Sequence, residues 1–556
     1  MKRYCSLILI IAILLFTCSS CGNSSSAEPP QTGNHPPVAE DNTADAESDP
    51  VITLNTNPSE MFTKRDKKSD YSDDAVRIRL TGTSATATSD TVQISGNTIT
   101  ITEEDCYILS GTLEDGSIVV NAADSAKIHL VLDGVDINSN NSAAILVVSA
   151  DKVVITLASG QNRLSNGGSF TTYNDINVNA ALFSKDDLSL NGNASLTITS
   201  PAGHGISCKD DLVLAGGNYI ISSANHGLDA NDSIRLTAST VSVEAGKDGF
   251  HAENNDDTRL GFIYIADGTY KISAQDDGIH AASSLVILGG DIDIPESYEG
   301  IEAFDLAIGA GNIRIIASDD GLNASDGTET VSNDGFGERV NNKAGGVDRE
   351  IPEGFEKAPD NRMNKPDKSR GGRTDFPDNP ENVRPGFNPD TSNNFGNFGG
   401  NFGGFGGGFP NLGSGNCNIT ITDGNLSIQA SGDGIDANGS LTVTGGNITI
   451  CGPNYGDTAS LDYDTTATLS GATFIATGAT GMAQTISSSE QGVITVNADN
   501  QNAGTTLTLT DSEGDVLLTH TPELPYTLVI LSSPDLVSGE TYTLTCGTTA
   551  KTITAR

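Results

Sequence analysis

The sequence predicts an all-β fold: a right-handed parallel β-helix with three strands per coil and a small C-terminal β cap. Two observations lead to this prediction. A short Gly-Ile-x-Ala-like unit recurs with its glycines at positions 205, 227, 249, 278, 300 and 321, at spacings of 22, 22, 29, 22 and 21 residues. Each unit is followed by alternating apolar residues around a turn, as in the Gly-Gly-Asn of residues 441–450. Such alternation is typical of strands, and about 22 residues with three strands make one coil of such a solenoid.

The first 21 residues predict an export signal. Lys2 and Arg3 precede an apolar run from Leu7 to Phe16. Because a membrane-spanning helix needs roughly 20 apolar residues, this run is about half the length required. An exported protein is therefore expected.

The end of this segment resembles the bacterial lipobox. Small residues stand before Cys18 and Cys21. We expect lipidation at Cys21 because Ser20 is a better residue before the cleavage point than Thr17. An ordinary cleaved signal with a free product is the alternative. Residues 22–75, which are rich in Ser, Asn, Pro, Asp and Glu, are expected to form a disordered tether to the cell surface.

The repeat defines the remaining domains. Residues 76–324 are predicted to form the first part of the β-helix. From Gly321 to Gly434 is 113 residues, and an insertion of 92 residues at 325–416 leaves 113 − 92 = 21, which is one coil. The insertion is rich in Gly, Asn, Phe and Pro and is expected to be disordered. Residues 417–490 then form the final coils, and 491–556 lack the repeat and are expected to cap the last strand edges.

Composition limits the partners. The formal charge is 30 − 72 = −42, so nucleic acid would be repelled, whereas cations would be attracted. Cysteines of the repeat region are scattered singly, which indicates neither a disulfide framework nor a zinc site. A monomer is expected.

Acidic side chains recur at two positions of the repeat. Strand alternation predicts that Ile and Ala of each unit point inward and that the residue between them points outward. Stacked coils then align carboxylates closely enough to need a cation or raised pKa values, and calcium suits the oxygen ligands available. The predicted calcium ligands are Asp229, Asp248, Asp276, Asp277, Glu299, Glu302, Asp319, Asp320, Asn323, Asp433 and Asp436.

Two histidines lie in the same column. We expect His251 and His280 to line a substrate groove beside the acidic residues; transition-metal ligation is the alternative. A solvated polar ladder, in which Asp and Asn satisfy turn amides, is the alternative to calcium for the whole column.

The coils of this repeat and its last unit, Asp433-Gly434-Ile435-Asp436-Ala437 with Gly452-Pro453, resemble a family of bacterial carbohydrate-binding proteins. Its members are similar to polysaccharide-lyase β-helices that bind calcium and plant polysaccharide. The resemblance covers roughly residues 80–325 and 416–500. It implies binding of a polygalacturonate-like or cellulosic glycan.

Catalysis has a weaker basis. A uronate lyase needs a base near a bound cation, and Lys247, next to Asp248, is the most suggestive candidate, although an exposed Lys-Asp pair is more often only a salt bridge. We therefore rank calcium-dependent carbohydrate binding without catalysis first. A calcium-dependent uronate lyase is second, and a structural surface adhesin is third.

Overall fold

The computed structural model describes residues 58–325, 417–453 and 458–556. The predicted signal peptide, the lipidation site Cys21, most of the tether and all of the insertion except Ser325 lie outside the described residues. Within the described ranges the protein is nearly all β, with one four-residue helix, Pro58–Met61.

The described ranges contain forty strands. The first ten are β1 (Val76–Gly82), β2 (Ala85–Ala87), β3 (Val92–Ser95), β4 (Thr98–Ile101), β5 (Cys106–Leu113), β6 (Ser117–Asn121), β7 (Lys127–Ser139), β8 (Ile145–Ser149), β9 (Lys152–Ser159) and β10 (Gln161–Asn166). The next fifteen are β11 (Ala180–Ser184), β12 (Asp187–Ser200), β13 (His204–Cys208), β14 (Asp211–Ser223), β15 (Leu228–Ala230), β16 (Ser233–Thr237), β17 (Thr240–Ala245), β18 (Phe250–Ala252), β19 (Phe262–Ile265), β20 (Thr269–Ala274), β21 (Ile279–Ile287), β22 (Asp291–Ser297), β23 (Ile301–Ile308), β24 (Asn312–Ala317) and β25 (Leu322–Ala324).

The last fifteen follow the insertion. They are β26 (Ile419–Ile421), β27 (Asn425–Ala430), β28 (Ile435–Ala437), β29 (Ser440–Val443), β30 (Asn447–Cys451), β31 (Asp462–Tyr463), β32 (Thr466–Leu469), β33 (Thr473–Gly478), β34 (Ser488–Ser489), β35 (Val493–Gln501), β36 (Leu507–Thr510), β37 (Val516–His520), β38 (Tyr526–Ser532), β39 (Thr541–Cys546) and β40 (Thr549–Thr554). No helix among the described residues is long and apolar enough to cross a membrane.

Parallel ladders join each repeat to the next. β15, β16 and β17 pair in parallel with β18, β19 and β20. Leu228, Ile234 and Val241 point into the core and are at most 1% exposed. Burial of these apolar side chains stabilises each rung by roughly 1.5–3 kcal/mol per residue. The right-handed winding of the strands stays a prediction.

The strands on the two sides of the insertion pair directly. Leu306 pairs with Ile419, and Leu322 pairs with Ile435, 113 positions further along the chain. Residues 326–416 therefore interrupt the sequence between two neighbouring rungs without separating the rungs.

The glycine of each repeat unit lies where backbones come close. A Cβ at Gly227 would lie 2.5 Å from Val243 Cγ1 and 2.6 Å from the carbonyl oxygen of Gly249. Because no side chain fits there, only glycine allows the turn to stack on the next coil, which explains why the unit contains it.

Residues 58–75 are the main difference from the domain prediction, which assigned them to the disordered tether. Phe62 is 4% exposed and packs with Val213 and Tyr264. The fully buried Asp66 lies 2.7 Å from Nζ of Lys152. The average composition of residues 22–75 could not predict that this segment packs on the strands, because its attachment depends on two individual side chains, Phe62 and Asp66.

The C-terminal residues pair differently from the repeats. β38 pairs antiparallel with both β33 and β35. The order β37-β36-β39-β40 forms a separate four-stranded antiparallel sheet.

Candidate functional site

The predicted column of polar residues is continuous in the register. Successive parallel pairs link Ser207, Asp229, His251, His280, Glu302, Asn323, Asp436 and Asp462. A second column runs along the turns, where each repeat glycine donates its N–H to the carbonyl of the next turn residue. Gly227 donates to Asp248 at 3.0 Å and Gly300 to Asp320 at 2.8 Å. The repeat thus aligns two rows of polar side chains.

The side chains of the first column are less exposed than the strand alternation predicted. They lie outside the apolar interior, yet Asp229 is only 7% exposed and Asn323 only 9%. The reason is that each side chain is covered by its neighbours one coil away. Charges in such positions are poorly hydrated, and the pKa values of Asp229, His280 and Asp436 are shifted from their usual values.

Asp320, Asp433 and Asp436 form one acidic cluster. A carboxylate oxygen of each lies within 4.8 Å of the others. Burial, followed by the negative charges of neighbouring carboxylates, raises the pKa of Asp320 and of Asp436 to about 7. Three carboxylates this close repel one another when ionised, and a divalent cation would relieve that repulsion.

Asn323 adds an amide oxygen in the same column. It pairs in register with Asp436, and its Nδ2 donates to Glu299 Oε2 at 3.0 Å. Its Oδ1 is buried and has no hydrogen-bond partner among the described residues. A buried oxygen without a partner costs free energy, about 1–3 kcal/mol, unless a ligand satisfies it.

A second acidic cluster contains Asp248, Asp276 and Asp277, again with one oxygen of each within 4.8 Å. Burial and the neighbouring carboxylates Asp248 and Glu302 raise the pKa of Asp277 to about 6, although a hydrogen bond from His280 acts in the opposite direction. Burial, with Glu302 and Asp277, raises the pKa of Glu299 to about 9. Excess negative charge is therefore concentrated here as well.

The predicted substrate residues differ from each other in their contacts. His280 Nδ1 lies 2.8 Å from Glu302 Oε2 and 3.5 Å from Asp277 Oδ2. Burial alone would lower the pKa of His280, but the hydrogen bonds to these two carboxylates outweigh it and raise the pKa to about 10. His280 is thus a cation at neutral pH. His251 Nδ1 lies 3.2 Å from Asp229 Oδ1.

Asp229 has partners for both oxygens. Oδ2 accepts a hydrogen bond from Ser207 at 2.6 Å and lies 3.2 Å from Lys209 Nζ. Although burial opposes ionisation, the hydrogen bond from His251 and the nearby cationic groups hold its pKa well below the usual range. One oxygen also lies within 4.8 Å of nitrogens of His204 and His226.

The two acidic clusters, together with a third group formed by Asp277, His280 and Glu302, account for most of the predicted calcium ligands. Asp248, Asp276, Asp277, Glu302, Asp320, Asp433 and Asp436 each belong to a cluster of three within 4.8 Å. Glu299 and Asn323 contact each other at the edge of these clusters. Asp319 lies next to Asp320 and contributes to its raised pKa.

Lys247 is exposed, and no ion pair of its ammonium is present among the described residues. The carboxylate of the adjacent Asp248 lies 3.0 Å from His226 instead. The structure therefore brings this lysine into none of the clusters described above.

A shallow groove of about 880 Å³ on another face was not identified from the sequence. Four exposed side chains form a hydrogen-bonded ladder along it, in which Asn447 donates to Asn425 at 2.9 Å, Asn425 to Asn312 at 2.8 Å and Asn312 to Asp291 at 2.7 Å. Lys271 and Arg314 line the same groove. The signal was the Asn or Asp that directly follows a turn glycine at Gly290, Gly311, Gly424 and Gly446, and turn formation explains this pattern equally well.

The raised carboxyl pKa values predict an alkaline loss of stability in metal-free protein. In the fold, Asp320 and Asp436 titrate near pH 7 and Glu299 near pH 9, above their usual 3.8 and 4.5. The folded state therefore holds protons that the unfolded state has released, and this stabilisation is lost as the pH rises through those values. Between pH 6.5 and 9 the melting temperature of chelator-treated protein should fall by at least about 4 °C.

The same melting experiment contains its control. The double variant Asp320→Asn, Asp436→Asn should lose part of this slope, and saturating calcium should remove the same part in the unchanged protein. A melting temperature of metal-free protein that stays constant over this range would contradict the assignment of raised pKa values.

The fold and the polar columns define a nearly all-β repeat protein with acidic clusters aligned along parallel ladders. A family model described as a carbohydrate-binding domain-containing protein matches residues 95–336. A carbohydrate-binding domain-containing protein of Acetivibrio thermocellus is 39% identical over 208 residues, which are 37% of this chain and 73% of that protein. The chain therefore belongs to the carbohydrate-binding domain-containing protein family.

A solved structure of a polysaccharide lyase-like protein from C. thermocellum, a gadolinium derivative, is similar to this chain at 30% sequence identity. The match covers 46% of this chain and 98% of that one, with a TM-score of 0.39.

Proposed function

We propose that this protein binds polysaccharide in a calcium-dependent manner at the bacterial cell surface, on a right-handed parallel β-helix. Membership in a carbohydrate-binding family supports polysaccharide as the ligand. The observation that carries the calcium proposal is the cluster of Asp320, Asp433 and Asp436, whose carboxylates are crowded in a poorly hydrated position. A lipid on Cys21 would hold the protein at the surface.

The parallel ladders support the proposed winding. Three strands of each repeat pair with the corresponding three strands of the next, as β15, β16 and β17 do with β18, β19 and β20. Crossover connections between parallel strands are right-handed in about 98% of cases. A right-handed coil is thus the expected path between the ladders.

Calcium fits the donor set because it takes six to eight oxygens, about 2.3–2.6 Å away, in flexible geometry. The cluster supplies carboxylates, and the unpartnered Oδ1 of Asn323 supplies an amide oxygen. Turn carbonyls and water would complete the shell. Binding would convert carboxyls that share protons at neutral pH into ionised ligands.

The groove with the amide ladder is the proposed contact surface for the glycan. An amide within the ladder donates one N–H to one neighbour and accepts a hydrogen bond from the other neighbour with one carbonyl lone pair. Its second N–H and second lone pair can therefore bind sugar hydroxyls. Lys271 and Arg314 would attract the carboxylates of an acidic polymer. Such local cations matter because the whole chain carries a formal charge of −42.

Calorimetry of chelator-treated protein tests this function. Calcium is titrated first and polygalacturonate second, and a parallel titration omits calcium. We expect calcium heat, followed by saturable glycan heat that is lost without calcium. Equal glycan binding in excess chelator would contradict the calcium dependence. A lack of binding to both polygalacturonate and cellulose would contradict the proposal that the protein binds these glycans.

Substitutions in the groove locate the contact. Arg314→Gln combined with Lys271→Gln should weaken polygalacturonate binding at least about tenfold, since two charge-assisted contacts are lost. Arg314 is exposed and pairs with Asp293 at 2.9 Å. Arg259→Gln is the matched control because Arg259 is likewise exposed and pairs with Asp257, outside the groove. An equal loss in both variants would indicate nonspecific electrostatic attraction.

The same titration distinguishes binding from cleavage. A lyase would release unsaturated uronate, which absorbs in the ultraviolet, and Lys247→Ala would abolish that signal. Flat absorbance during saturable binding is the expected result. Binding to protein surfaces instead of glycans would favour the adhesin.

A further inference from the structure

Four histidine rings from the two polar columns form a stack. His204, His226, His251 and His280 lie on successive coils, with ring centroids 4.9, 4.1 and 5.3 Å apart and interplanar angles of 16°, 12° and 20°. The stack brings imidazole nitrogens close to carboxylates at the end of the column that contains Asp229. Nitrogen and carboxylate ligands together suit zinc and similar transition metals better than calcium.

We propose that His204, His226 and Asp229 form a transition-metal site of the zinc type. One ligand atom from each lies within 4.8 Å of the other two. Ligand atoms in a tetrahedral site with bonds of about 2.1 Å lie about 3.4 Å apart, so small side-chain movements would close the set. Three protein ligands leave a fourth position for water.

His204 supplies an observation independent of the clustering. Its side chain is nearly buried, at 9% exposure, and its Nδ1 has no hydrogen-bond partner among the described residues. A buried imidazole nitrogen without a partner is available to a metal ion, and metal binding would satisfy it.

The neighbouring residues resemble the outer shell of a metal site. His226 Nδ1 lies 3.0 Å from Asp248 Oδ2, and this contact leaves Nε2 for a metal. Metal-ligating histidines commonly use their second nitrogen in this way, which fixes the ring and its tautomer. Asp248 is therefore a positioning residue. His251 Nδ1 lies 3.2 Å from Oδ1 of the proposed ligand Asp229.

This site is separate from the proposed calcium cluster. Five successive strand spacings separate Asp229 from Asp436 along the column, which corresponds to about 24 Å. The inference goes beyond the proposed function and does not depend on it. Loss of one site should leave the other intact.

Zinc competition tests the proposal. Chelator-treated protein is titrated with Zn²⁺ against a chromophoric chelator, and with Co²⁺ for its visible spectrum. We expect one tight equivalent of Zn²⁺ and the intense bands of tetrahedral cobalt. His204→Gln and Asp229→Asn should each weaken zinc at least about 100-fold, and Asp248→Asn about tenfold.

Two histidines outside the proposed ligand set serve as controls. His280→Gln removes the protonated histidine of the stack and His520→Gln a distant one, so both should retain zinc affinity. Far-ultraviolet circular dichroism checks the folding of each variant. Because two ligands are replaced in separate variants, the test still works if one of them does not fold. Unchanged zinc affinity in folded His204→Gln and Asp229→Asn, or displacement of zinc by equimolar calcium, would overturn the site.

Discussion

Ile279→Asp is expected to unfold several neighbouring coils. Ile279 is fully buried and lies between Phe250 and Ile301 in the ladder. Asp removes the apolar contacts and places an unpaired carboxylate in the core, so the change should cost at least about 5 kcal/mol. Because each coil depends on its neighbours, the loss should spread along the repeat. Circular dichroism with urea unfolding measures it.

Ile220→Asp is the matched control. It makes the same substitution in a strand of the same sheet, but Ile220 is 56% exposed. This variant should unfold within about 0.5 kcal/mol of the unchanged protein. Similar behaviour of the two variants would contradict the inward assignment of the repeat isoleucine.

Asp66→Ala is expected to release the segment that covers one side of the ladders. Asp66 accepts a hydrogen bond from Ser189 at 2.7 Å and pairs with Lys152, whose side chain is only 10% exposed. Removing Asp66 leaves a largely buried ammonium whose remaining carboxylate, Asp187, is 3.6 Å away. Loss of one partner of a buried ion pair costs about 3–5 kcal/mol of stability. Because Asp187 can still partly neutralise Lys152, we expect a loss at the lower end of this range.

Limited trypsin digestion measures this release directly, since Lys64, Arg65, Lys67 and Lys68 flank Asp66. Cleavage in this segment should accelerate at least about tenfold in Asp66→Ala, because about 1.4 kcal/mol corresponds to a factor of ten in the population of an open state. Asp70→Ala, at an exposed position of the same segment, should digest like the unchanged protein. Equal rates in both variants would show that the ion pair does not hold the segment.

The repeat made the strands and the columns predictable. The spacing of the glycines fixed which residues share a rung, because identical positions of successive coils must stack, and the register aligns Asp229, His280 and Asp436 in one column as expected. Contacts that do not repeat were beyond this reasoning. Asp66 and Ser189 are 123 positions apart, and no period connects them.

The chemistry of individual column residues was also less predictable than their positions. A single pattern treats Asp229 and Asp436 alike, yet Asp229 is paired with Ser207, Lys209 and His251, whereas Asp436 is surrounded by carboxylates. The pKa of the first is lowered and that of the second raised. The difference comes from the neighbours one coil away, and these vary from repeat to repeat.

The short separation of paired residues has a kinetic consequence. Parallel sheets usually fold slowly because distant segments must meet before they gain contacts. Here most rungs join residues only 21 to 29 positions apart, so coils can add one after another as the chain emerges. The rung that joins Leu322 to Ile435 spans 113 positions. The entropic free energy of closing a loop of that length is only about 1.4 kcal/mol higher than that of closing a loop of about 22 residues. Growth of the ladder should therefore pause at this rung and then continue.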